Sequence, residues 1–208
     1  VIDIEKIKQE YIKIFKNNIK REGSDELLKY LESSDFFTAP ASTKFHSAFN
    51  GGLCLHSINV FNRFVSLLEN EYGENWQDFI SLESATICGL LHDVCKVNFY
   101  TQEFRNVKID GEWTKQPFFM ANDTLPYGHG EKSVYIISGF MKLTREEAMA
   151  INWHMGGFDM RVKGGSYTIE NAFRMFPNAF LFHIADLEAT YLDAVSYTHL
   201  TLPTNSRV

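Results

Sequence analysis

The segment Ile87-Cys88-Gly89-Leu90-Leu91-His92-Asp93-Val94-Cys95-Lys96 constrains this chain more than any other. Its helical periodicity runs from about 81 to 97, and it is apolar except where an adjacent histidine and aspartate, and then a lysine, interrupt it. At about 100° per residue, Lys96 falls roughly 40° from His92 and Asp93 roughly 100° from it, so a continuous helix gathers the three at one polar edge. Burying them unpaired among Ile87, Leu90, Leu91 and Val94 costs free energy, and a metal ion would satisfy them. Gly89, one turn earlier, is expected to leave room for an ion or a phosphate.

The rest of the chain reads mostly as helix. Ile4, Ile7, Tyr11, Ile14 and Phe15 recur at helical spacing over 3–20, and Gly23-Ser24-Asp25 stops that helix and caps a short one over 26–32. A loop around Pro40 follows, then an amphipathic helix over about 52–72. Further helices are expected at 129–141, 144–154 (with Thr144 and Glu147 as a capping box), 167–176 and 178–193. The stretch 99–122 differs, with β-type residues either side of Asp110-Gly111, and predicts a small hairpin or irregular insertion. Within it, Phe104, Trp113, Phe118 and Phe119 are expected to form a packed lid, or else one wall of a base-stacking pocket. The fold class is therefore all-α with a small β-hairpin insertion.

Composition supports one folded unit. At 208 residues and about 150 per domain, a single domain is expected over 1–194, with a helical N-terminal extension over about 1–40 and a core over about 41–194. Eighteen phenylalanines supply a sizeable core. A net charge of −6 disfavours a duplex-DNA binder. There is no apolar run long enough for a membrane span and the first residues are not a signal peptide, so a cytoplasmic protein with no membrane partner is expected. Cys54, Cys88 and Cys95, an odd number without a CxxC pair, fit reduced, buried thiols. Cys95 lacks an obvious base and is a poor nucleophile. Residues 195–204 resemble the translation of a sequencing-library adapter, so 195–208 are expected to be a non-native tail.

Six candidate ligands are spread along the chain: His56, His92, Asp93, His129, His154 and Asp186. With Gly51-Gly52-Leu53-Cys54-Leu55-His56-Ser57, the His92-Asp93 pair with Lys96, and Asp186 in Ile184-Ala185-Asp186, the chain resembles the HD-domain superfamily of metal-dependent phosphohydrolases over about 46–190. Gly128-His129-Gly130 and Trp153-His154-Met155 resemble the two extra histidines of its binuclear branches. The GYP motif of the cyclic-dinucleotide phosphodiesterases is absent, and Cys95 stands where many members carry glycine.

The resemblance implies an HD-domain helical bundle and a catalytic role for Asp93 and Lys96. His56, His92, Asp93 and Asp186 would hold one divalent ion, and His129 and His154 a second, with Asp93 shared. Imidazole and carboxylate donors suit Mn, Fe, Co, Ni or Zn. Such ions activate water and clamp a phosphate, and Lys96 would neutralise phosphoryl charge. The substrate implied is a small phosphorylated molecule, a nucleotide above all. His46, Arg161 and Lys163 are candidate substrate contacts. His183, on the same helical face as Asp186, is a candidate for orienting it. The same ligand order would also serve an HD-fold di-iron oxygenase, and the scaffold also occurs as a non-catalytic signalling module. Oligomeric state is unreadable, since no heptad seam is present.

Overall fold

The computed structural model describes residues 3–43, 47–109 and 111–193. The chain is mostly helical: α1 (Ile4–Asn18), α2 (Ser24–Ser33), α3 (Gly52–Tyr72), α4 (Leu82–Leu91), α5 (His129–Ser138), α6 (Arg145–Trp153), α7 (Met160–Lys163), α8 (Thr168–Met175) and α9 (Pro177–Glu188). One antiparallel ribbon, β1 (Tyr100–Ile109) with β2 (Glu112–Ala121), interrupts them, in register from Tyr100 opposite Ala121 to Ile109 opposite Glu112. Gly111 adopts φ +90° at the turn, which glycine tolerates; Asp110 lies outside the described residues.

Helices α3 and α4 form the centre of the fold, with α9 packed on α3, and α6 on both α4 and α9. The approach of α3 to α4 depends on Gly89. A Cβ there would lie 2.5 Å from Phe61 Cα and 2.6 Å from Phe61 Cβ. The space at Gly89 therefore holds the neighbouring helix, which corrects the expectation of room for an ion. The core runs without interruption from Tyr11 and Phe15 in α1, through Leu27 and Leu31 in α2, to Phe182 and Ala189. Tyr11 donates its hydroxyl hydrogen to the Leu90 carbonyl (2.9 Å), tying α1 to the end of α4. Thr144 and Glu147 form the expected capping box on α6. Glu147 also receives both terminal nitrogens of Arg21, at 2.6 and 2.8 Å. Burial pushes the Glu147 carboxyl up, but Arg21 and the Thr144 N–H outweigh it and hold the pKa below the usual carboxylate value.

Two expectations change. The helix read over 81–97 ends at Leu91: Asp93 takes φ −105°, ψ 17°, and a short 3₁₀ turn, Val94–Lys96, follows. Lys96 therefore faces Asp93 through this turn, three residues on, and not His92 along a continuous helix. Of the hairpin's four aromatics, Phe118 and Phe119 are half-buried and Phe104 and Trp113 are not, so the hairpin is not a packed lid. Phe104 is 66% exposed and Trp113 71%, and the ribbon projects into solvent from a root at Tyr100 and Ala121. No described helix is long and apolar enough to cross a membrane.

Candidate metal centre

Four helix ends and one helix interior converge on a single point. His56 lies in the second turn of α3, His92 caps the C-terminus of α4 with Asp93 beside it, His129 opens α5, His154 caps the C-terminus of α6, and Asp186 lies in α9. All six side chains meet. His56 Nε2 lies 3.1 Å from Asp186 Oδ1 and 3.7 Å from Asp93 Oδ2. His92 Nε2 lies 3.5 Å from Asp93 Oδ2 and 3.9 Å from Asp186 Oδ1. On the other side of Asp93, Oδ1 lies 2.8 Å from His129 Nε2 and 3.6 Å from His154 Nε2. Its two oxygens thus face different pairs of histidines.

The backbone sets which nitrogen of each ring faces inward. His92 Nδ1 stands 2.9 Å from the Gly89 carbonyl, and His154 Nδ1 2.6 Å from the Ile151 carbonyl. A carbonyl accepts only, so each Nδ1 carries a hydrogen, and whenever the ring is neutral Nε2 is its lone-pair nitrogen. Both Nε2 atoms are fully buried and have no hydrogen-bond partner. A lone pair facing a carboxylate oxygen is repulsive without a cation or a proton between them, and an unsatisfied buried polar atom costs about 1–3 kcal/mol. Two donors on one ion at about 2.1 Å stand roughly 3.0–3.4 Å apart, close to the 3.1–3.9 Å separations here. The residues present are close enough together to hold a metal ion.

Burial pushes the Asp93 carboxyl up, but Lys96, His92 and His129 outweigh it and hold it well below the usual range. Asp186 is likewise held down, chiefly by His56 against burial. Burial lowers the pKa of His92 and of His129, outweighing the opposing pull of Asp93. For His154 burial also lowers the value, but Asp93 and Asp186 overcome it and the pKa rises. Lys96 Nζ donates to Asp93 Oδ2 at 2.6 Å. Burial pushes the Cys95 thiol up to about 12, too high for a neutral-pH nucleophile.

The centre opens into a cavity of about 970 Å³, whose wall includes Lys96, Lys163 and His183 together with Phe99, Tyr100, Met155, Phe158 and Tyr191. The aromatic part of this wall was not singled out from the sequence, because Phe99, Tyr100, Phe158 and Tyr191 come from separate elements that only the tertiary fold brings together. Lys163 is thus brought to the cavity; Arg161 is not. All five Arg161 N–H groups are taken by Asp159, Glu131 and Asn152, and its plane stacks 3.9 Å from the Trp153 ring centre. No donor is left for a phosphate, which corrects its expected substrate contact. His183 was expected to orient Asp186; instead its Nδ1 donates to the His154 carbonyl at 2.6 Å. Its ring lies over Gly156, where φ is +53° and a Cβ would come within 2.2 Å of the imidazole. His46 lies outside the described residues. Comparison of the chain with protein-family models, with curated proteins and with solved structures returned no match.

Proposed function

We propose that this chain is a metal-dependent phosphohydrolase of the HD-domain type, acting on a phosphoester in a nucleotide or a related small phosphorylated molecule. The observation that carries the reading is the pair of buried, partnerless Nε2 atoms of His92 and His154, each ring held through Nδ1 by a backbone carbonyl and each Nε2 aimed at Asp93. His56, His92, Asp93 and Asp186 would hold one ion, and Asp93, His129 and His154 a second. When bound, divalent transition ions supply an activated water and charge neutralisation at phosphorus. Asp93 serves both halves because its two oxygens face opposite ways. Lys96 keeps an ammonium at the cavity wall, where it balances negative charge on phosphoryl oxygens. The cavity suits a nucleotide-sized ligand. Among the described residues, Lys96 and Lys163 are the lysines in its wall and no arginine joins them, a sparse basic lining for a polymer backbone.

The test is release of p-nitrophenol from bis-p-nitrophenyl phosphate by the full chain with added Mn²⁺, beside Asp93→Ala and Asp93→Asn. Metal-dependent turnover that disappears in folded Asp93 variants is expected. A folded, metal-loaded wild type with no turnover on this ester or on a nucleotide panel, and with oxygen uptake when iron-loaded, would overturn the hydrolase reading in favour of a di-iron oxygenase.

A further inference from the structure

Three cysteines are buried, but they do not share a role. Cys54 and Cys88 belong to the hydrophobic core. Cys95, also buried, stands outside that cluster and turns its sulfur toward the centre. Its Sγ lies 3.5 Å from His129 Nδ1 and 3.6 Å from His129 Nε2. Donor atoms of Asp93, Cys95 and His129 all lie within 4.8 Å of one another. The backbone holds the residue there: its N–H donates to Ser133 Oγ at 3.1 Å, across from the 3₁₀ turn to α5. A thiolate at about 2.3 Å and an imidazole nitrogen at about 2.05 Å from one tetrahedral ion stand about 3.6 Å apart. The observed sulfur–nitrogen separations match that spacing. Independently, His154 Nε2 is buried without a partner and points at the same carboxylate oxygen, Asp93 Oδ1, that His129 contacts.

We infer that Cys95 is a ligand of the ion held by Asp93, His129 and His154, which makes that half of the centre a thiolate site selective for soft borderline ions such as Zn²⁺ and Co²⁺. The inference rests on the metal-centre reading above. On binding, the Cys95 S–H bond breaks, the sulfur–metal bond forms and one proton leaves to the buffer. Among the described residues, the half of the centre around His56, His92 and Asp186 offers nitrogen and oxygen donors, so the two halves differ in softness.

The experiment uses Co²⁺ alone as probe, added to the metal-free full chain, for wild type and Cys95→Ser. Cobalt bound by a thiolate shows a near-ultraviolet charge-transfer band, while imidazole and carboxylate ligation shows only visible bands. Wild type is expected to show both. Cys95→Ser is expected to keep the visible bands, lose the ultraviolet band and bind the Co²⁺ of the Asp93, His129 and His154 half at least about tenfold less tightly. Alkylation mapping on wild type alone is expected to show Cys95 protected by bound Co²⁺, which holds even if the variant folds poorly. Visible bands without the charge-transfer band in wild type would overturn the thiolate assignment and leave the metal centre standing. A charge-transfer band that persists in Cys95→Ser would also overturn it. Absence of any Co²⁺ binding by dialysis would overturn the metal centre itself, and the Cys95 assignment with it.

Discussion

Replacing Gly89 with alanine tests the way the centre is assembled. In an exposed helix the change stabilises by about 1 kcal/mol through helix propensity. Here the added methyl would sit 2.5 Å from Phe61 Cα, 2.6 Å from its Cβ and 3.0 Å from its nitrogen. Carbon atoms rest at about 3.5–4.0 Å, so α3 and α4 must part by about 1 Å, and backbone atoms cannot rotate aside. Overpacking of this kind costs about 3 kcal/mol at the upper end of its range, leaving a net loss of about 2 kcal/mol after the propensity gain. For a domain of this size that lowers Tm by about 4–8 °C. His56 rides on α3 and His92 on the end of α4, so the same displacement separates two ligands and weakens Mn²⁺ binding by at least about tenfold. Thermal unfolding and equilibrium dialysis read the two effects. A Gly89→Ala protein as stable as wild type, or more so, would refute the packing argument. A destabilised variant with unchanged metal affinity would refute the link between that contact and the centre.

Arg21→Met strands the buried Glu147 carboxylate and is expected to cost about 3 kcal/mol in urea unfolding at pH 7. Because the folded Glu147 pKa is depressed, the pair's contribution is complete above its unfolded value of about 4.3 and fades as pH falls through the lower folded value. The gap between wild type and variant should therefore narrow at pH 3. Lys163→Met is expected to raise KM for the phosphoester severalfold with little change in Tm. Arg161→Lys should do the reverse, since that guanidinium holds Asp159, Glu131 and Asn152 together. Mn²⁺ at about 100 times its Kd is expected to stabilise the chain by about 2.7 kcal/mol, reversed by a chelator; no thermal shift would argue that the centre holds no ion.

Much of the helical framework was legible because period and caps agree. Residues 52–72 read as one helix and form one, Gly52–Tyr72; Thr144 and Glu147 mark the start of α6, and an Asp-Gly turn marks the hairpin. The meeting of the six candidate ligands followed from motif order. What stayed hidden depends on tertiary contact. Periodicity ran straight through His92, whereas the helix ends there and Asp93 turns to face histidines from three other helices. Gly89 reads as open space until Phe61 is seen against it. Arg161 reads as a loop cation until Asp159, Glu131 and Asn152 are seen to occupy every donor. Apolar side chains at Phe104 and Trp113 suggested burial that a two-stranded ribbon, standing clear of the helices, does not provide.

That ribbon has a consequence for where the molecule opens first. Ten residue pairs hold its strands with solvent on both faces and, among the described residues, no third strand alongside. Cross-strand neighbours contribute only about 0.2–1 kcal/mol each, and two strands alone are marginal in water. Its amides should therefore exchange with solvent deuterium well ahead of those in α3 and α4, through fraying that starts at Gly111 and travels inward. The fraying stops at the ribbon's root, where Tyr100 donates to the Ala41 carbonyl and, with Ala121, forms part of the cavity wall. A ligand seated against that wall would slow exchange along strands it never touches, so the ribbon's amides report on whether the cavity is filled.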